Sequence, residues 1–208
     1  MFNRSVVLLA LASTLALAQP DNSIDDVRGL RAGASFFGGV RTPFPAAEFG
    51  GELRGGVQVT QIFSLYGTIA GQVGLGPVPP GSLSGVSGAF TASLLAEVFL
   101  FELGFLAIGP GFGWGQLVVP DAILLGDQHG SISSTGAKAI ANVRGGVTIP
   151  IRGWPPHSGV SIALNGQLMF HPDAELRFAR TEGVAEQPPQ YRMAMTFTPT
   201  LMVGVDWR

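Results

Sequence analysis

Four cations, Arg31, Arg54, Lys138 and Arg144, and three acids, Glu52, Glu97 and Asp206, fall on the polar face of alternating segments. An ionised side chain held away from water is costly unless it meets an opposite charge. Pairing across a shared interior is therefore expected, with the seven residues forming one charge cluster. Such a cluster has two uses. It can fill an interior as a structural plug, or it can act as a gate or selectivity element in a narrow pore. The three histidines suggest less. His171, Asp173 and Glu175 could gather metal-ligating atoms in one loop, but polar loop residues of this kind are ordinarily just solvated. His157 and Ser158 are sequence neighbours, whereas a nucleophile and its base meet in space. His129 follows Asp127 between Gly126 and Gly130, which favour a turn. With no cysteine in the chain, thiolate metal sites, disulfides and cysteine nucleophiles are excluded. No catalytic, cofactor-binding or metal-ligating set is expected, and no enzyme activity.

The surroundings of these charges are unusual. Only 12% of the 208 residues are charged, against roughly 25% in a typical soluble domain. Hydrophobic residues make up 46%, there are 30 glycines, and Lys138 is the sole lysine. A soluble surface of this composition would lack the charges that keep it solvated. The net charge of −2 offers no basic footprint for nucleic acid.

The amino terminus has the layout of an export signal. Arg4 and the terminal amine precede an apolar run over residues 6–17. Ala16-Leu17-Ala18 fits the small-residue cleavage pattern, which places the cut before Gln19. Residues 1–18 are read as the signal, 19–27 as a short periplasmic segment, and 28–208 as a single barrel domain.

From Arg28 onward the chain alternates with a period of two, the pattern of strands with two different faces. Leu30, Ala32, Ala34, Phe36 and Val40 oppose Arg31, Gly33, Ser35 and Arg41. Phe49, Leu53 and Val57 oppose Glu52, Arg54 and Gln58. Six further runs repeat the pattern, and the last is the clearest. There Met193, Met195, Phe197, Leu201, Val203, Val205 and Trp207 alternate with Arg192, Thr196, Thr198, Thr200 and Asp206. Eight runs of this length suit strands that cross a bilayer at a tilt. Tight connections follow the second and fourth runs. Longer ones are expected over 77–87, 120–135 and 171–190, an asymmetry found in membrane barrels. The connections at 42–47 and 152–158 depart from it, one short and one long.

Alternation alone does not say which face is outside. A soluble barrel with an apolar interior also alternates, but its polar exterior would need many charges. Here that face carries glycine, hydroxyls and amides, which suit a narrow interior, while the apolar face suits lipid. A helical membrane protein is disfavoured because Glu97 and Glu102 interrupt the best apolar stretch, 92–108. Phe63, Trp114, Phe170, Tyr191 and Trp207 are expected at the membrane interfaces.

The export signal, the eight alternating runs and a final run ending in an aromatic together resemble the small outer-membrane barrels of the OmpA and OmpX type. The resemblance covers about 28–208. It implies an all-β fold: an eight-stranded antiparallel up-and-down transmembrane β-barrel in a bacterial outer membrane. Its partners would be outer-membrane lipids, the barrel assembly machinery during biogenesis, and envelope proteins reached through the outer loops. Members of the family more often end on the aromatic itself, whereas here Arg208 follows Trp207. Three classes of role remain: a structural or interaction barrel of the envelope, a narrow channel for ions or small solutes, and a lipid-modifying enzyme. Intact-mass measurement of the exported protein should give a chain beginning at Gln19. A mature protein that retains Phe2 or Asn3 would contradict the export signal.

Overall fold

The structure is a computed structural model of the chain, and it describes residues 29–43, 45–60, 62–76, 86–100, 103–123, 129–153, 158–178 and 188–207. The expected export signal and the segment 19–27 lie outside these residues. Among the described residues, eight strands close into one antiparallel barrel in sequence order. They are β1 (Gly29–Arg41), β2 (Ala46–Thr60), β3 (Phe63–Leu75), β4 (Val86–Leu100), β5 (Gly104–Ile123), β6 (His129–Pro150), β7 (Gly159–Phe178) and β8 (Gln190–Trp207). Closure comes from β1 against β8, with Ala32 opposite Trp207 and Gly39 opposite Thr200. Thr42 and Phe197 extend this seam by exchanging two backbone hydrogen bonds of 2.8 Å. Where β1 and β8 pair, their edges satisfy one another, which removes the usual site of edge-to-edge pairing there.

The two faces separate as the alternation requires. Phe36, Leu53, Ile69, Phe90, Phe112, Leu164 and Leu201 are exposed on the outside. Arg31, Glu52, Thr68, Thr91, Asn142, Arg144 and Thr200 are buried on the inside. In water this arrangement would be untenable, since an apolar patch on a soluble monomer rarely exceeds a few hundred Å². In lipid it is the stable one, because a closed ladder satisfies the backbone and the outer face meets hydrocarbon.

The interior is not purely polar. Leu95, Phe105, Leu117, Ile140, Met169 and Met202 are also buried there. Phe105, Ala163 and Met202 form one apolar cluster with Phe37 and Phe99 against it, and Tyr66, Leu95 and Ala107 form another. An eight-stranded barrel is narrow enough for side chains to fill, so large and small inner residues must fit together. β5 supplies the small ones. At Gly109 an added Cβ would fall onto the Leu94 carbonyl oxygen, so the β4 backbone leaves room only for glycine.

One expected loop is largely strand and another is partly so. Most of 120–135 belongs to β5 and β6, which pair from Val119 opposite Ile132 to Ile123 opposite His129. The first part of 171–190 belongs to β7, which runs to Phe178. Polarity there marks departure from an apolar belt, not from the sheet. Pro172 lies in a register shift between His171 and Ala174, and the ladder resumes with Ala174 opposite Arg192. Proline within sheets is confined to edges and such irregularities. A second shift, between Ser133 and Ala139, contains Gly136 at φ 116°, a conformation that favours glycine. As a result β5–β8 measure 18–22 residues against 13–15 for β1–β4. One half of the wall stands higher at the loop end. Arg192, expected on the inner face, is exposed on this raised part.

Depth should decide the cost of a charge on the outer face. Leu53→Arg, at the middle of β2, is expected to destabilise folding into lipid vesicles by about 2–4 kcal/mol. Leu30→Arg, at the turn end of β1, should cost only about 0–1 kcal/mol. Reversible denaturant unfolding in vesicles measures both, and equal costs would argue against a membrane belt.

Candidate functional site

The side chains that could do chemistry converge in the lumen. Near the turn end, Arg31 of β1 pairs with Glu97 of β4. Ser64 Oγ accepts from Arg31 Nη1 at 2.7 Å and donates to Glu97 Oε1 at 3.2 Å. The Arg31 guanidinium also lies 5.0 Å from the Phe99 ring centre and 5.8 Å from that of Tyr66. Both contacts are within cation–π range. Its other nitrogen, Nη2, stands 3.9 Å from Asp206 Oδ1.

Asp206 of β8 continues the series. Arg54 Nε approaches its Oδ1 at 2.8 Å, and Arg54 Nη2 donates to its Oδ2 at 3.1 Å and to Ser161 Oγ at 2.8 Å. Arg54 Nη1 is 3.9 Å from Glu52 Oε1. Glu52 then receives both Nη atoms of Arg144, at 2.9 and 2.7 Å. Such a fork-to-carboxylate pair is directional as well as strong. Three arginines and three carboxylates thus form one alternating chain: Glu97, Arg31, Asp206, Arg54, Glu52, Arg144. Five strands contribute to it, so it ties opposite walls together. Charge within it balances.

Six of the seven residues expected in the cluster belong to this chain. Lys138 does not. It faces a second group nearer the loop end, where its Nζ donates to Ser134 Oγ at 3.4 Å. In that group Arg41 Nη1 lies 3.1 Å from Glu48 Oε1 and donates to Ser87 Oγ at 2.6 Å. Gln72 Nε2 donates to Glu48 Oε2 at 3.3 Å. The Arg41–Glu48 pair was absent from the expected cluster. Its cue was present: Glu48 has the parity of Glu52 and Arg54, opposite to Phe49 and Leu53.

His171 is the larger displacement. Read as a solvated loop residue beside Asp173 and Glu175, it sits inside the barrel at 1% exposure. Its Nε2 lies 3.0 Å from Thr196 Oγ1. Asp173 is exposed, and Glu175 accepts from Arg177 Nε at 2.5 Å. The three do not converge. His157 and Asp127 lie outside the described residues, and so does the side chain of His129.

The aromatics take two levels. Phe63 opens β3, and Trp207 pairs with Ala32, both at the turn end. Trp114 pairs with Phe90, Phe170 with Met195, and Tyr191 with Glu175, all nearer the loop end. Trp114, Tyr191 and Trp207 are exposed, and Phe170 and Phe63 are half-buried.

The fold and its lined interior define a class: a small eight-stranded antiparallel transmembrane barrel, apolar outside and packed with paired charges inside. Similar solved structures include the following three. Neisserial surface protein A shares 12% identity at a TM-score of 0.45, over 85% of this chain and 94% of that one. The outer membrane enzyme PagL shares 12% at 0.46, over 83% and 97%. The translocator domain of the autotransporter NalP from Neisseria meningitidis shares 13% at 0.39, over 98% and 97%. No protein-family model matches the chain. No curated protein matches it either.

Removing one partner of the Arg144–Glu52 fork leaves a buried charge unmet. Glu52→Leu or Arg144→Met alone should cost about 3–5 kcal/mol, and the two together less than either. Urea unfolding of the three variants in vesicles tests the coupling. Costs that simply add would show that the pair does not interact.

Proposed function

We propose that the chain is an integral barrel of the bacterial outer membrane with a structural or interaction role in the cell envelope, and that its lumen is a packed plug. The observation that carries this reading is the alternating chain of six charges across the lumen. Apolar layers containing Leu95, Phe105 and Met202 fill the space around it. An interior so filled transmits little, so the surfaces left for a role are the lipid-facing belt and the loop end. The belt engages outer-membrane lipids, with Phe63 and Trp207 at one interface and Trp114, Phe170 and Tyr191 towards the other. Tight turns at one end and a raised wall at the other direct envelope partners to the loop end. The exported chain would reach this position through the barrel assembly machinery.

A narrow channel is the second reading, favoured by one observation. Two small cavities lie in the lumen, one lined by Arg41, Lys138 and His171 and the other by Glu52, Arg144 and Asn165, and Gln72 lines both. Planar-bilayer recording separates the two roles. The plug reading expects no steady current from the wild type, and Glu52→Gln is expected to raise current only by loosening the Arg144 fork. Steady unitary current from the wild type would favour the channel. Location has its own test. Unboiled protein extracted from outer membranes should migrate faster on a gel than boiled protein, and its absence from that fraction would overturn the assignment. Pull-downs through the loop end that recover no envelope protein would remove the interaction role.

A further inference from the structure

The described residues that line the loop-end cavity carry more positive than negative charge. Its ionised lining groups are Arg41, Lys138 and Glu48. Glu48 is engaged by Arg41 at 3.1 Å and by Gln72 at 3.3 Å. Lys138 is 3% exposed, and among the described residues its Nζ meets the Ser134 hydroxyl and no carboxylate. An ammonium removed from water with no opposite charge is strongly disfavoured. The balanced chain below cannot help, because each of its carboxylates already serves an arginine.

His171 supplies a second observation. It lines the same cavity and is buried. Nε2 is taken by Thr196, while Nδ1 has no hydrogen-bond partner among the described residues. Leu117, Met169 and Ala89 complete much of the wall and offer neither charge nor hydrogen bonds. The cavity leaves about 20 Å³ for the centre of a water molecule. That is room for a water molecule or a single small ion.

We propose that this cavity binds one small monovalent anion of halide size, held by the Lys138 ammonium, with His171 and the Arg41–Glu48 pair on its border. One such anion cancels the excess charge that the described walls leave. It needs no ordered polar cage beyond what the lining provides. The inference requires only the folded barrel and is independent of the envelope role.

Chloride magnetic resonance on the folded wild-type protein in non-ionic detergent tests it, at constant ionic strength with gluconate as the balancing anion. The expected result is an excess chloride line width that saturates with chloride, is displaced by bromide, and is lost when the barrel is unfolded. Lys138→Met should weaken this binding by about tenfold or more, a difference of at least ~1.4 kcal/mol. Heat-modifiable gel migration reports whether the variant has folded. Should it fail to fold, the wild-type titration still decides. No saturable broadening in the folded wild type would overturn the proposal, as would binding that persists undiminished in folded Lys138→Met.

Discussion

An arginine that enters a lumen this narrow must meet a carboxylate there. Water cannot surround it, and desolvation costs several kcal/mol per ion even after relaxation. The chain from Glu97 to Arg144 is the response to that constraint. Each arginine reaches a carboxylate on another strand, so the pairs act as struts between walls that share no hydrogen-bonded ladder. Arg144 on β6 and Glu52 on β2 illustrate this, since those strands are not neighbours. The network sets which strands face one another across the lumen, while the ladder sets only which lie side by side.

The remaining volume follows from the same narrowness. The glycines of β5 let the β4 backbone approach, as at Gly109. Leu95, Phe105 and Met202 then occupy the space that charges do not. Arg31 bridges the two kinds of filling, because its charge meets Glu97 while its planar head lies over Phe99 and Tyr66. Outside, the requirement is reversed. The backbone is satisfied within the closed ladder, and any apolar side chain long enough to reach lipid will serve.

The loop end obeys different rules. There β5–β8 rise above β1–β4, and the ladder tolerates irregularities at Pro172 and Gly136. Ile132, Ala174 and Leu176 form a small apolar cluster on this raised wall, apart from the charged chain below. Between the two lies the cavity of Lys138 and His171, where charge is not balanced by the described walls.

Much of this was legible in the residues alone. Parity is a local property, so the alternation assigned Arg31, Glu52, Arg54, Glu97, Lys138, Arg144 and Asp206 to one face and Phe36, Leu53 and Leu201 to the other. Low charge content then indicated which face meets lipid. Parity also carried information that polarity obscured: Glu48 shares a face with Glu52, and Leu95 with Glu97, so an ion pair and an apolar layer of the interior were both written in the order of residues. What the order could not state was distance across the lumen. Whether Arg144 meets Glu52 or Asp206, and why Lys138 stands apart, depends on register accumulated around eight strands and on which walls the closure brings face to face. The extent of β6 and β7 was likewise decided in three dimensions. A polar strand is indistinguishable from a loop until a neighbour takes up its hydrogen bonds, and here Ile132 and Ala174 found theirs. The fold was thus a matter of local periodicity, and the charged interior a matter of closure.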